Sequence, residues 1–348
     1  MEKIKTGLMS FGMSGMVFHA PFLNVHPQFE LTAVCERTKN LSKPLYPNTM
    51  TVRSIDELLA IGDLELIVVN TPDSTHYELA ERALKAGKHV IVEKPFTVTT
   101  AEGEALIQLA REKGLMLCVF QNRRWDADFL TVREIIETGK LGKLVEFESV
   151  YARYRNEVPV KTWKELEGSL TYNLGSHLID QCLTLFGKPE SVFADISKLR
   201  DHTLIDDYFI IHLFGCERFP DIKITLKAGY LMREPESRFI LHGTSGSYVK
   251  RGLDKQEELL KAGALPDTPD WGVETEAEWG EINTVFDGKP LKGKYPGQRG
   301  DYTGFYDTVY QHLRHGQSLP TAAENVLPSI RVIEAAFESS RKKEAVKI

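Results

Sequence analysis

The 348-residue chain is 42% apolar and 26% charged, a globular balance that excludes collagenous, low-complexity and strongly disordered readings. Forty-three basic against forty-nine acidic residues leave a formal charge of -6, which speaks against a phosphate-neutralising face and so against nucleic acid or a membrane surface as partner. No run approaches the ~18 apolar residues that span a bilayer, and the N-terminal Met1-Glu-Lys-Ile-Lys-Thr-Gly lacks the regions of a signal peptide, so the expected compartment is the cytoplasm.

The length suggests two domains. From residue 3 to about 120, short β-branched runs alternate with segments of helical spacing. Residues 4–10, 31–35, 66–70, 89–93 and 115–120 read as strands, and 54–60, 74–86 and 100–113 as helices. In the second of these helices Leu79, Ala80, Ala83 and Leu84 make an apolar stripe that ends at Gly87. Continuous apolar strands such as Leu66-Ile-Val-Val suit a parallel sheet covered on both faces. The spacing therefore predicts a doubly wound α/β domain over residues 1–124.

Beyond residue 124 the period changes. A helix over 126–137 stops at Gly139, and strands from Leu144 onward alternate with period two, with Ile222, Ile224, Leu226 and Ala228 on one side and Lys223, Thr225 and Lys227 on the other. Such strands belong to an antiparallel or mixed sheet with one buried face. A helix over 170–186 is closed by Gly187. Residues 262–300, rich in Gly, Pro and Trp, read as a long excursion without a clear period, and a helix over 325–341 closes the chain. Residues 125–348 are thus expected to form an α+β domain with an open, mostly antiparallel sheet.

Cys35, Cys118, Cys182 and Cys216 are scattered, without a CxxC, and three lie in apolar runs, as reduced thiols acting as small hydrophobes do. His312 and His315 have i, i+3 spacing but no nearby carboxylate in sequence, so no metal is expected.

The first strand runs into Gly7-Leu-Met-Ser-Phe-Gly12-Met-Ser-Gly15. Gly12 and Gly15 fill the second and third places of GxGxxG, with Ser10 at the first. A strand-to-helix turn of this kind lets backbone N–H groups and a helix N-terminus approach a pyrophosphate, which makes Phe11, Gly12, Met13, Ser14 and Gly15 expected dinucleotide contacts. The stretch also reads GxxxxG-Met-Ser, but Met13 stands where a triphosphate loop needs lysine. Glu36 ends the second strand at the spacing of a ribose-binding carboxylate, whereas its neighbour Arg37 could clasp a 2′-phosphate or stack on adenine. The two argue in opposite directions and leave NAD and NADP open.

Asn70-Thr-Pro-Asp-Ser-Thr-His76, Ala86-Gly-Lys-His-Val-Ile-Val-Glu93-Lys94-Pro95 and Gln121-Asn-Arg-Arg-Trp125 follow consecutive strands, where ligands of such sheets bind. With Gly12-Met-Ser-Gly-Met-Val-Phe-His19-Ala-Pro and Asn173-Leu-Gly-Ser-His-Leu-Ile-Asp-Gln181, they resemble the Gfo/Idh/MocA family over nearly the whole chain, and within it the NADP-linked scyllo-inositol dehydrogenases. The resemblance implies a Rossmann domain followed by a sheet domain used for dimer or tetramer contacts. It also implies hydride exchange between a nicotinamide and a secondary alcohol carbon of a sugar or cyclitol.

On that resemblance Lys94 contacts substrate and nicotinamide, and His177 is the acid/base. Thr71, Pro72, His76, Glu93, Asn122 and Trp163 are expected beside the cofactor, and Arg124, Arg153, Tyr172 and Asn173 beside the substrate, with Tyr151 adding to it if it faces the cleft. Lys94-Pro95 is a candidate cis peptide. The chemistry is intelligible in itself: an alcohol losing hydride must lose its hydroxyl proton to a base within hydrogen-bond reach, and a cation favours the developing alkoxide. The family usually places an aspartate four residues before the histidine, where it orients the ring. Here that place is Asn173, which leaves a weaker dyad, another acid such as Asp180, or a less demanding substrate. Two further readings share the fold: a nucleotide-bound sensor, and a glycosidase that returns the hydride it takes.

Overall fold

The continuous apolar runs of the first 120 residues pair side by side in the computed structural model, which describes residues 2–158 and 169–348. Among these residues β1 (Ile4–Leu8), β2 (Phe29–Cys35), β3 (Met50–Val52), β4 (Leu66–Val69), β5 (His89–Val92) and β6 (Leu117–Val119) form one parallel sheet. Its order is β3-β2-β1-β4-β5-β6. The order reverses between β1 and β4, so the C-terminal end of β1 opens on the switch point where doubly wound sheets bind ligands. All four residues of β4 are buried, as a strand covered on both faces requires.

The helices of this unit are α1 (Ala20–Val25), α2 (Ser42–Leu45), α3 (Ile55–Leu59), α4 (His76–Lys85) and α5 (Thr100–Lys113). The stripe Leu79, Ala80, Ala83 and Leu84 of α4 is buried. Helix α5 opens on a capping box between Thr99 and Glu102 and ends at Gly114 with φ 63°, so both its ends are satisfied locally. A π-turn, Gly15–His19, precedes α1. Pro21 has no N–H to offer Val17, and the Ala20 N–H reaches back five residues to Gly15 O.

In the second unit β7 (Leu144–Ala152), β8 (Ser191–Ser197), β9 (Tyr208–Phe214), β10 (Lys223–Gly229), β11 (Phe239–Gly243), β12 (Gly246–Lys250), β13 (Gly280–Phe286), β14 (Lys289–Tyr295) and β15 (Val346–Lys347) are ordered β14-β13-β12-β11-β7-β10-β9-β8-β15. β10 runs parallel to β7 and antiparallel to β9, which makes the sheet mixed but mostly antiparallel. Ile224, Leu226 and Ala228 are buried and Lys223 is exposed, the expected alternation. The unit's helices include α6 (Ala127–Glu137) and α7 (Ser176–Phe186), the latter entered through a π-turn, Thr171–Gly175, and ended by Gly187 at φ 80°.

The later chain returns twice to the first unit. By contacts, that unit comprises Met1–Asn122, Lys255–Trp271 and Asp301–Leu327, and the second comprises Arg123–Asp254, Gly272–Gly300 and Pro328–Ile348. The returning pieces carry α8 (Gln256–Lys261) and α9 (Thr303–His315), and α10 (Ala323–Lys342) follows them. An aromatic cluster holds them: the ring of Phe22 packs on Trp271, Tyr302 and Tyr306 at 5.8–6.5 Å between centroids. Gln256 Oε1 accepts from Trp271 Nε1 and from the Tyr302 backbone N–H.

The segment 262–300 departs from the expected excursion, because β13 and β14 form a hairpin within it. Phe286 pairs with Lys289 across Asp287-Gly288, whose φ values of 50° and 72° make the tight two-residue turn that an Asp-Gly pair favours. Among the described residues no helix is long and apolar enough to cross a membrane.

Candidate active site

The loop after β1 is locked to the end of β4. Ser10 N–H donates to Asn70 Oδ1 at 2.9 Å, Ser10 Oγ donates to Asn70 O at 2.8 Å, and Asn70 Nδ2 returns a bond to Ser10 O at 2.8 Å. Serine at the first fingerprint position is therefore a structural tie. A Cβ on Gly15 would stand 2.5 Å from Ser10 O, so only glycine allows the helix to approach the strand. A Cβ on Gly12 would meet only Ser10 Oγ at 4.0 Å. The backbone at Gly12 is open on that flank, Met13 is exposed, and Phe11 is buried edge-on to Tyr46. An open glycine at a strand-to-helix turn on the switch point fits a dinucleotide pyrophosphate.

Glu36 is turned inward. Its carboxylate accepts from Leu41 N (2.7 Å), Ser42 N (3.0 Å) and Ser42 Oγ (2.5 Å). Burial acts to raise its pKa, but these bonds and the Arg53 charge outweigh that and lower it. Arg53 fixes the same loop through Glu36 O, Lys39 O and Asn40 Oδ1. In place of a carboxylate presented outward for a ribose, the loop presents Arg37, which is exposed.

Along the same edge, Glu93, Lys94 and Pro95 follow β5, and the Lys94-Pro95 bond is cis. Glu93 Oε1 accepts from Ser14 Oγ at 2.5 Å and faces His19 Nε2 at 3.1 Å, while Oε2 accepts from the Lys94 N–H at 3.0 Å. Burial would raise the pKa of Glu93, and the His19 and Ser14 bonds with the charges of His19 and Lys94 hold it instead at about 2. His76 lies between Pro95 O (2.8 Å from Nδ1) and Thr71 O (3.0 Å from Nε2). Thr75 Oγ1 bonds Thr71 Oγ1 and Pro72 O, which shapes the loop after β4. Ser14, His76 and Glu93 thus engage protein groups that fix the loops on this edge.

In the second unit His177 is buried on α7, and Asn173 lies inside the π-turn that precedes it. Their four-residue spacing is therefore not the regular α-helical turn assumed from sequence. The Thr171 N–H and hydroxyl both donate to Asp206 Oδ2 and anchor this turn, and Tyr172 stacks on Phe337 at 5.8 Å.

Asp180, considered above as a partner for His177, instead takes a two-pronged bond from Arg124: Nε at 2.8 Å and Nη2 at 2.6 Å. Both side chains are nearly buried, so this pair fixes the Arg124 guanidinium against α7. Arg153 lies one residue past β7, its N–H donating to Gly229 O. Tyr151 is interior, beneath the guanidinium of Arg238 at 4.2 Å. Asn122 is buried in the short helical turn Asn122–Trp125. Trp163 lies outside the described residues.

Arg238 escaped the sequence reading. It is fully buried, and it donates to Ser149 Oγ and, at 2.6 Å, to Gln181 Oε1, with Asp128 Oδ2 at 3.5 Å from its Nε. Gln181 in turn donates to Arg123 O. No motif marks this cation; it ties α7 to β7 from inside the unit.

Comparison with known proteins agrees with this architecture. The sequence model of an oxidoreductase family's NAD-binding Rossmann fold matches residues 4–121, and that of its C-terminal alpha/beta domain matches residues 133–348. The chain is 36% identical to scyllo-inositol 2-dehydrogenase (NADP(+)) IolW of Bacillus subtilis, over 99% of this chain and 96% of that one. It is 38% identical to the uncharacterized oxidoreductase C115.03 of Schizosaccharomyces pombe, over all of both chains. Among solved structures, a putative oxidoreductase from Bacteroides fragilis is similar with a TM-score of 0.94 and 58% identity over all of both chains. The putative oxidoreductase yvaA of Bacillus subtilis is similar with a TM-score of 0.95 and 36% identity over 100% of this chain and 99% of that one. A Rossmann sheet, a mixed C-terminal sheet and both family domains in sequence place the chain in the Gfo/Idh/MocA family, as a dehydrogenase-type oxidoreductase that binds NAD or NADP.

Proposed function

We propose that the protein exchanges hydride between NADP(H) and a secondary alcohol or ketone carbon of a cyclitol or sugar, with scyllo-inositol as the model substrate. The observation that carries this reading is the Lys94 turn, fixed at the C-terminal end of β5 on the same sheet edge as the open Gly12 loop. When bound, the nicotinamide supplies or accepts the hydride. Lys94 holds a positive charge toward the reacting oxygen and favours an alkoxide there. His177 takes the hydroxyl proton in oxidation and returns it in reduction. Asn173, Tyr172 and Arg153 are assigned to the polyol, and Thr71, Pro72, Asn122 and Trp163 to the cofactor.

The loop after β2 supports NADP over NAD. The inward carboxylate of Glu36 offers little repulsion to a 2′-phosphate, and the exposed Arg37 is the cation placed to receive it. A similar protein is named for NADP(+), which supports the same choice. The protein is also expected to be a homodimer or homotetramer through the C-terminal sheet. Phe193, Phe214 and Val285 alternate with buried neighbours and are exposed on its outward side.

Asn173 favours one rival, a sensor that holds the dinucleotide without turnover. Lys94→Ala and His177→Ala separate the two readings. Each is expected to lower turnover of a polyol by about 10²-fold or more while NADPH affinity is retained. Unchanged turnover in Lys94→Ala would refute the catalytic assignment.

A further inference from the structure

The Lys94 turn is built from one end to the other. Tyr306, on α9, places its hydroxyl 2.8 Å from His19 Nδ1, and the opposite ring nitrogen faces Glu93 Oε1. His19 is fully buried, with Phe120 packed on its ring at 4.3 Å. The other oxygen of Glu93 accepts from the Lys94 N–H, so a buried column from Tyr306 through His19 ends on the backbone of Lys94. Beyond the cis bond, Pro95 O faces His76. Ser14, between Gly12 and Gly15, branches from the column, its hydroxyl meeting the same carboxylate.

An ionised carboxylate meets every group around it as an acceptor. Both of its oxygens accept, one from Lys94 N–H and the other from Ser14 and His19. An amide presents one oxygen and one NH₂, so Glu93→Gln either turns its NH₂ on the Lys94 N–H or requires Ser14 to become an acceptor and His19 to change tautomer, and in both cases the charged acceptor of the Lys94 N–H is lost.

We propose that Glu93 is a positioning residue: it sets the direction of Lys94, and through Ser14 it makes that setting respond to the dinucleotide loop. The proposal rests on the reading of Lys94 as the residue at the reacting oxygen. It assigns no contact between Glu93 and substrate.

Two measurements test it, and the first needs no substrate. Amide hydrogen exchange is followed by NMR in protein without cofactor. Glu93→Gln is expected to speed exchange of the Lys94 N–H about tenfold or more while Val90, Ile91 and Val92 keep their protection; NADPH is expected to slow Lys94 exchange in the wild type but not in Ser14→Ala. Equal loosening of all β5 amides, or an unchanged Lys94 amide, overturns the proposal.

The second measurement is a double-mutant cycle in steady-state oxidation of scyllo-inositol with NADP⁺. Glu93→Gln is expected to lower kcat about tenfold or more, with KM for the polyol and NADPH affinity within about threefold, and Glu93→Asp to recover part of the loss. In a Lys94→Ala background Glu93→Gln is expected to have no further effect, because it acts through that side chain. Multiplicative losses overturn the positioning role and leave the function reading standing, whereas undiminished kcat in Lys94→Ala overturns the function reading itself. If Glu93→Gln does not fold, Tyr306→Phe removes the hydroxyl that steadies His19 and carries the same expectations at smaller amplitude.

Discussion

The carboxylate of Glu93 makes stability depend on acid in a way that can be isolated. Its pKa falls from 4.5 for the free side chain to about 2 in the fold, because hydrogen bonds and neighbouring charge overcome burial. A depressed carboxylate contributes stability that is complete above its unfolded pKa and is lost as pH falls through its folded one. The window is therefore pH 4.5 down to about 2. At about 1.4 kcal/mol per pH unit the contribution is about 3 kcal/mol, large beside the 5–15 kcal/mol that holds a typical domain together. Urea unfolding followed by circular dichroism, repeated at intervals from neutral pH into this window, gives the dependence for the wild type and for Glu93→Gln. The variant starts from lower stability, and its acid slope is expected to be shallower, so that the two curves converge by about 3 kcal/mol across the window. Parallel curves would mean that Glu93 is not held ionised by Ser14 and His19, and the account of the turn would fall with it.

Two further outcomes follow from the same unit. Gly15→Ala would drive a methyl to 2.5 Å from Ser10 O, a backbone atom that cannot swing aside; NADPH affinity measured by fluorescence is expected to fall at least tenfold, and unaltered affinity would contradict the packing role of Gly15. Arg37→Ala is expected to reduce the preference for NADPH over NADH by about ten- to a hundredfold, the worth of a charge-assisted phosphate contact of about 1.5–3 kcal/mol, with NADH kinetics little changed. An unchanged ratio would place the 2′-phosphate elsewhere.

Much of the first unit was legible because its signals are local. The bounds of α5 follow from Thr99-x-x-Glu102 and Gly114, and the parallel sheet from runs buried on both faces. The Asp287-Gly288 turn is equally local, but it lies in a segment whose other Gly and Pro residues obscure the period of the flanking strands. What local pattern cannot carry is the choice among partners. Glu36 stands at the spacing of a ribose ligand, yet Ser42 and Leu41 offer it three donors closer to home. Asp180 stands three residues from His177, yet Arg124 reaches it from 56 positions away in the chain. The return of residues 255–271 and 301–327 to the first unit depends on aromatic contacts of Phe22 with rings far along the sequence, and Arg238 finds its partners only once β7 and α7 have packed. Residue type announced a carboxylate at Glu93; only the fold shows that it faces Lys94, Ser14 and His19 at once.

The proposed activity is oxidation of a cyclitol or sugar alcohol with NADP⁺. Its most direct test is the absorbance of reduced nicotinamide, with purified protein, NADP⁺ or NAD⁺, and a panel of inositols and aldoses at mildly alkaline pH. The expected result is a rise with a cyclitol that is faster with NADP⁺ than with NAD⁺. Silence across the panel from protein shown to bind the dinucleotide would contradict it and turn attention to Asn173 and the sensor reading.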